Sequence, residues 1–204
     1  ENVVNAYTGL GARLCVPIYN ALDPETHHPV PPRDAFRATL SFLGNRLPDR
    51  EARVEEFFLA AAALLPNDIL RLGGSGWEDK KLPANVKYAG HVYTRDHNAF
   101  NCSAKAVLNI NRQSMASTGA SPPTRIFEAA GAAACIISDR WDGIETFLES
   151  RGEILLADSG AVVADLVAAL GAADARAIGA AARRHVLAAH TYRHRAAEVE
   201  AVLE

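Results

Sequence analysis

Ala106-Val107-Leu108-Asn109-Ile110-Asn111, a polar stretch from Arg112 to Ser121, then Pro122-Pro123-Thr124-Arg125-Ile126-Phe127-Glu128 and, after a helical run to Ala134, Cys135-Ile136-Ile137-Ser138: this succession decides the fold. The first and last pieces are short apolar runs of strand length. Between them lies a segment whose proline pair suits a first helical turn, because the N–H that proline lacks would be unpaired there anyway. A strand, a loop, a helix and a second buried strand make a parallel crossover unit.

The same rhythm runs outward in both directions. Upstream, Thr39-Leu40-Ser41-Phe42-Leu43-Gly44 reads as a strand, and Asp49 to Leu65 as a helix with Val54, Phe57, Phe58, Ala61 and Leu64 on one face. Ile69-Leu70-Arg71-Leu72-Gly73 and Val86-Lys87-Tyr88-Ala89-Gly90 are two more strands, and Thr94 opens a helix to about Cys102. Downstream, Gly143 to Ser150 reads as a short helix and Glu153-Ile154-Leu155-Leu156 as a sixth strand. Helices over 161–170, 173–190 and 191–203 complete the chain. Strands that are apolar throughout belong in a parallel sheet buried on both faces. The predicted fold is therefore α/β, a parallel Rossmann-like sheet of about six strands with helices on both faces.

Residues 1–36 break the rhythm. Pro24, Pro29, Pro31 and Pro32 interrupt regular structure, so this stretch reads as a small N-terminal segment and connector ahead of a domain over 37–204. The chain starts at Glu1 rather than Met, and the expectation is a fragment of a longer protein.

Composition narrows the function. A net charge of −3 gives no basic field for nucleic acid. No apolar run approaches the ~20 residues of a membrane helix. Cys15, Cys102 and Cys135 are odd in number and far apart, which fits reduced thiols and a cytoplasmic location. His190 and His194 have metal-compatible spacing, but no Cys or carboxylate nearby completes a set, and Arg184, Arg193 and Arg195 crowd them. No bound metal or cofactor is expected.

Parallel sheets bind ligands beyond the carboxyl ends of their strands. The start of the helix at Thr124 offers backbone N–H groups of Thr124, Arg125 and Ile126 with the helix dipole behind them, and Arg125 adds a charge: an anion site. Glu128, one turn in, can accept hydrogen bonds from vicinal hydroxyls, though a carboxylate there also fits a surface ion pair. Arg46 and Arg50, after the first strand, can reach a diphosphate or pair with Asp49 and Glu51. Gly73-Gly74-Ser75-Gly76 lacks the spacing of a dinucleotide fingerprint and reads as a plain turn.

Taken in order, several segments resemble the C-terminal domain of CgeB-like (spore maturation) glycosyltransferases, within the GT-B superfamily. They are 41–46 (SFLGNR), 86–92 (VKYAGHV), 121–131 (SPPTRIFEAAG), 143–145 (GIE) and 190–195 (HTYRHR). The resemblance covers roughly 38–203. It implies the donor-binding half of an enzyme that transfers a sugar from a nucleotide diphosphate to an unknown acceptor, with an acceptor-side domain upstream and no bound metal. It also implies site residues. Glu128 holds the donor ribose, and Ser121, Thr124 and Arg125 hold the diphosphate with Arg46 and Arg50 beside it. His91, Val92 and Tyr93 border the base. The second glutamate that many retaining relatives carry eight positions earlier is Ala120 here, with Gln113, Ser114 or Ser117 as alternatives at the sugar. A non-catalytic nucleotide-binding module and a sugar-nucleotide epimerase are the competing expectations.

Overall fold

The computed structural model describes residues 2–119 and 121–204. In chain order its strands are β1 (Ala38–Leu43), β2 (Leu70–Gly73), β3 (Val86–Tyr88), β4 (Ala104–Asn109), β5 (Ile136–Asp139) and β6 (Leu155–Ala157). All pair in parallel, in the order β3-β2-β1-β4-β5-β6. The helices are α1 (Asn2–Gly9), α2 (Glu51–Val54), α3 (Ala60–Leu64), α4 (Thr94–Cys102), α5 (Gln113–Thr118), α6 (Thr124–Gly131), α7 (Gly160–Ala169), α8 (Ala172–Ala189) and α9 (Tyr192–Leu203). One π-helical turn, Glu55–Leu59, joins α2 to α3 into a single rod.

Side chains along each strand alternate between the two faces, as the period of two requires. Leu40, Phe42, Leu108, Ile110 and Ile137 face one layer, where Val54, Phe58, Val163 and Val167 cover them. Val107 and Ile136 face the other, against Ile126, Phe127, Phe147 and Val186. The chain leaves β1 to build β2 on one side and, through α4, returns to build β4 on the other. The direction of winding therefore reverses between β1 and β4, and a crevice opens there at the carboxyl ends.

Beyond end shifts of a few residues, such as β3 at Val86–Tyr88, α6 ending at Gly131 and β6 at Leu155–Ala157, three elements differ from the sequence reading. The strand predicted over 106–111 runs Ala104–Asn109, because the Asn111 N–H turns to both carboxylate oxygens of Asp139, each at 3.1 Å, instead of continuing the ladder. The polar stretch after Arg112 is not a loop throughout but forms α5, stopped by Gly119 at φ +70°. Of the helix predicted over 143–150, only a 3₁₀ turn at Ile144–Thr146 is present.

The N-terminal segment is helical at Asn2–Gly9, ahead of its first proline, and irregular beyond, with a turn at 24–26 and a 3₁₀ turn at Asp34–Phe36. Its later part crosses the body as a strap. Leu22 bridges to Thr191, exchanges backbone hydrogen bonds with His190 and Tyr192, and is 1% exposed within the core. His190 and His194 serve structure here. His194 Nδ1 takes part in capping α9 at Thr191, and His190 Nδ1 accepts from the buried Arg195 at 2.8 Å. Burial holds the His190 imidazole down at about 4.

Candidate functional site

The loops after β1, β2 and β3 are stitched into one rim. Gly44 N–H donates to Gly73 O, Arg46 N–H to Ser75 O, Ser75 N–H to Asn45 Oδ1 and Gly74 N–H to Gly90 O, all at 2.9 Å. Trp77 Nε1 and the Tyr88 hydroxyl close the set, donating to Gly44 O and Gly74 O at 2.8 Å. Gly74 sits at φ +119°, and a Cβ there would lie 2.3 Å from Gly44 O. The glycine turn is thus the point where two loops touch, a role its spacing did not reveal.

Between this rim and the start of α6 lies a cleft of about 370 Å³ at the β1–β4 crevice. It is lined by Arg50, His91, Val92, Tyr93, Thr124, Arg125 and Glu128, together with Asn45, Gly74, Thr94 and His97 among others. Seven of the nine residues singled out in the sequence therefore share one wall-and-floor arrangement. Ser121 and Arg46 do not line it. Arg46 is turned away, bonded through Nε to Glu51 (2.8 Å) and through Nη1 to Asp79 (2.8 Å) and Gly76 O. Ala120 lies outside the described residues. A larger hollow of about 680 Å³ between the strap and α8–α9 holds none of the candidate residues and stands away from the strand ends.

Arg125 forms the floor. Its guanidinium lies 5.4 Å over the Phe42 ring and donates one long bond, 3.4 Å, to Asn109 Oδ1, so it spans from β1 to β4. Burial, with Arg50 nearby, pulls it down to about 10 against the opposing pull of Glu128 and Asp139. It stays charged at neutral pH. Arg50 is also desolvated, and among the described residues its Nη1 bonds only the Asn45 carbonyl, at 3.0 Å. Neither arginine pairs with a carboxylate among the described residues. The helices α4 and α6 both begin at the cleft, and neither has a side-chain cap. The Ile126 N–H, expected to be free, donates to Pro123 O at 3.2 Å. Among the described residues the N–H groups of Thr124 and Arg125 have no backbone partner. Unmatched cations beside uncapped helix starts make a site for an anion.

Glu128 stands one turn from Arg125. Its carboxylate makes no hydrogen bond among the described residues. Two imidazoles face it, His27 Nε2 at 4.0 Å and His97 Nδ1 at 3.8 Å, both beyond hydrogen-bond distance. His97 Nε2 bonds Val92 O at 3.2 Å, and burial pulls the His97 imidazole below its ordinary value although Glu128 opposes this. Free lone pairs on a fixed carboxylate suit neighbouring hydroxyl donors. His27, His97 and Asn109 were not singled out from the sequence, because 101 positions separate His27 from Glu128 and no local spacing links them. Among the described residues, no group of three or more His, Cys, Asp or Glu side chains is arranged to hold a metal ion, and no helix is long and apolar enough to cross a membrane.

Known structures share this architecture. HepE of Anabaena, solved with UDP-glucose, superposes with a TM-score of 0.72 at 15% identity, over 98% of this chain and 60% of its own. Sucrose-phosphate synthase of Thermosynechococcus elongatus gives 0.73 at 16%, over 98% and 55%. The C-terminal domain of a group 1 glycosyl transferase (LpcC) of Francisella tularensis gives 0.61 at 13%, over 82% of this chain and 97% of that domain. At these identities the likeness establishes the fold alone, a Rossmann-like parallel α/β domain. The chain spans less than two thirds of the length of the first two. No curated protein matches the sequence. The family model described as glycosyl transferase-like matches residues 50–201, most of the chain and all of the cleft's floor, and the chain belongs to that glycosyl transferase-like family.

Proposed function

We propose that this chain is the donor-binding half of a glycosyltransferase of the CgeB-like kind, working in the cytoplasm with an acceptor-side domain supplied upstream. The observation that carries the proposal is the pairing on α6: an unmatched, buried guanidinium at Arg125 and, one turn on, a carboxylate at Glu128 with its lone pairs free. A nucleotide diphosphate has the complementary order, an anionic diphosphate joined to a ribose with neighbouring hydroxyls. Arg125, Arg50 and the backbone start of α6 take the diphosphate. Glu128 takes the ribose, and His91, Val92 and Tyr93 border the base. Arg46 and Ser121 are not needed for this arrangement.

On transfer, the bond between the anomeric carbon and the diphosphate oxygen breaks, and its electron pair leaves with the diphosphate. Charge growing on that oxygen is met by fixed cations and a helix dipole, which need no reorganisation at the moment of reaction. The test is calorimetric binding of UDP, GDP, ADP and CDP to the 204-residue chain, with release of nucleotide diphosphate from the matching sugar donors. Glu128→Ala is expected to weaken binding by about 1.5–3 kcal/mol without unfolding the protein. Release is expected only when the upstream domain is present, since the acceptor has no platform without it. Absence of binding by all four nucleotides would defeat the proposal. Sugar inversion without an acceptor would point to an epimerase instead.

A further inference from the structure

Glu128 is flanked from two directions that the sequence does not connect. His97 comes from α4 and faces one carboxylate oxygen at 3.8 Å; His27 comes from the strap and faces the other at 4.0 Å. The two imidazoles lie nearly parallel, at 25° and 6.1 Å between centroids. The His27 side chain is only 10% exposed, and among the described residues its Nδ1 has no hydrogen-bond partner. His97 lines the cleft whereas His27 does not.

The strap is gripped so as to hold His27 there. Asn98, next to His97 on α4, donates through Nδ2 to Thr26 O at 2.9 Å and accepts the His28 N–H at 3.3 Å. One side chain thus fixes the peptide on both sides of His27. Gly131 lies three residues beyond Glu128 on the same face of α6. A Cβ there would meet Leu22 Cδ1 at 2.4 Å and His27 O at 2.8 Å, so only glycine lets the strap lie this close to the helix. Leu22 anchors the strap in the core. A buried imidazole with an unpartnered nitrogen, so placed, has no packing rationale that a phenyl ring would not meet as well.

We propose that His27 is a positioning residue for Glu128: the strap closes the side of the carboxylate away from the cleft, so that the ribose hydroxyls of a bound nucleotide meet a carboxylate fixed from two segments of the chain. This rests on the reading of Glu128 as the ribose-binding group. The consequence is selectivity for ribonucleotides that depends on a residue outside the cleft.

The experiment compares the tightest of UDP, GDP, ADP and CDP with its 2′-deoxy counterpart, in the 204-residue chain and its variants. His27→Phe keeps the ring and its stacking on His97 but removes both nitrogens. It is expected to lower the ribo-to-deoxy affinity ratio roughly fivefold to tenfold, the scale of one ordinary hydrogen bond. Binding of the deoxynucleotide and the melting temperature should hardly change. His27→Gln, which restores polar atoms near the same place and serves if the phenyl variant misfolds, should recover part of the ratio. An unchanged ratio in His27→Phe, with the ratio abolished in Glu128→Ala, overturns the role of His27. Equal weakening of both nucleotides, with a lowered melting temperature, overturns it as well by making His27 a packing residue. An unchanged ratio in Glu128→Ala instead overturns the ribose reading itself.

Discussion

Two arginines at the same edge of the sheet show how differently one side chain can be used. Arg53 on α2 and Arg125 on α6 each lie over a phenylalanine ring, at 5.2 Å from Phe57 and 5.4 Å from Phe42. Arg53 is saturated. Nη2 meets Asp139 at 2.6 Å, Nε donates to Asn111 O at 3.0 Å and Nη1 to Gln113 Oε1 at 3.3 Å. Arg125 has one bond of 3.4 Å to a neutral amide. A buried charge left unmatched is costly, so a protein that keeps one on the floor of a cleft has a use for it that its own groups do not meet. Arg53 belongs to the scaffold; Arg125 is open to a ligand.

The largest effect is expected where the saturated pair is broken. Asp139 is fully buried, and burial already holds its carboxyl above the usual carboxylate range even with Arg53 pulling it down. Arg53→Met removes that pull and leaves the carboxylate with little beyond the Asn111 N–H and the Ser138 hydroxyl. The loss, read from urea unfolding at neutral pH, should be about 3–5 kcal/mol. Its sign with pH follows from proton linkage. The folded pKa lies above the unfolded one, so the folded state binds more protons. The group's contribution is present below 3.8 and is lost as pH rises through the raised folded value. The gap between Arg53→Met and the parent protein should therefore narrow at pH 4.5 relative to pH 7.5. A gap of equal size at both values would mean that Asp139 is not the group left stranded.

Arg125→Met is the converse. No carboxylate is orphaned, and an apolar side chain suits the face of Phe42. Stability should stay within about 1 kcal/mol of the parent. Calorimetric affinity for a nucleoside diphosphate should fall by about 1.5–3 kcal/mol, while affinity for the nucleoside alone should not. If Arg125→Met unfolds the protein as readily as Arg53→Met, the contrast between scaffold and site is gone.

The fold was legible because buried parallel strands are apolar throughout and stand out against amphipathic helices. Leu40 to Leu43 and Ile136 to Ile137 need no partner to be recognised. Arg125 and Glu128 were legible because a helix start after a strand puts its first turn at the carboxyl edge, where distance along the chain equals distance in space. The rest was not. That Arg53 is spent on Asp139 depends on a contact 86 positions away. Arg46 and Arg50 look alike in sequence, yet Glu51 and Asp79 draw the first out of the cleft. His27 sits in a proline-rich stretch that reads as a connector, and only the grip of Asn98 brings it to Glu128. The α5 residues, rich in Ser and Thr, read as a loop. Arg112 and Ser114 bind Asp49 across the crevice, and that tertiary tether holds the turn in place.

The smallest effect tests the contrast most closely, by giving Arg125 what Arg53 already has. Asn109→Asp places a carboxylate at the atom that now accepts the long bond from Arg125 Nη1. Asn109 is 1% exposed, and its Nδ2 donates to Ser138 Oγ at 2.9 Å and to Asn111 Oδ1 at 3.4 Å. The introduced oxygen cannot donate, and the Ser138 hydroxyl already points toward Asp139. The guanidinium is then the one strong donor within reach of the new charge, and it should swing toward it. A matched Arg125 offers less to a diphosphate, so affinity should fall by about 1 kcal/mol, roughly fivefold. Asn109→Ala removes the same contact without adding charge. It leaves Arg125 unmatched, and affinity should stay within about twofold of the parent, less than the worth of one ordinary hydrogen bond. The two variants remove the same amide, and only one of them puts a charge in its place. If both weaken nucleotide binding equally, Asn109 acts by aiming Arg125. If only the carboxylate weakens it, the unmatched charge itself is what the cleft offers its ligand.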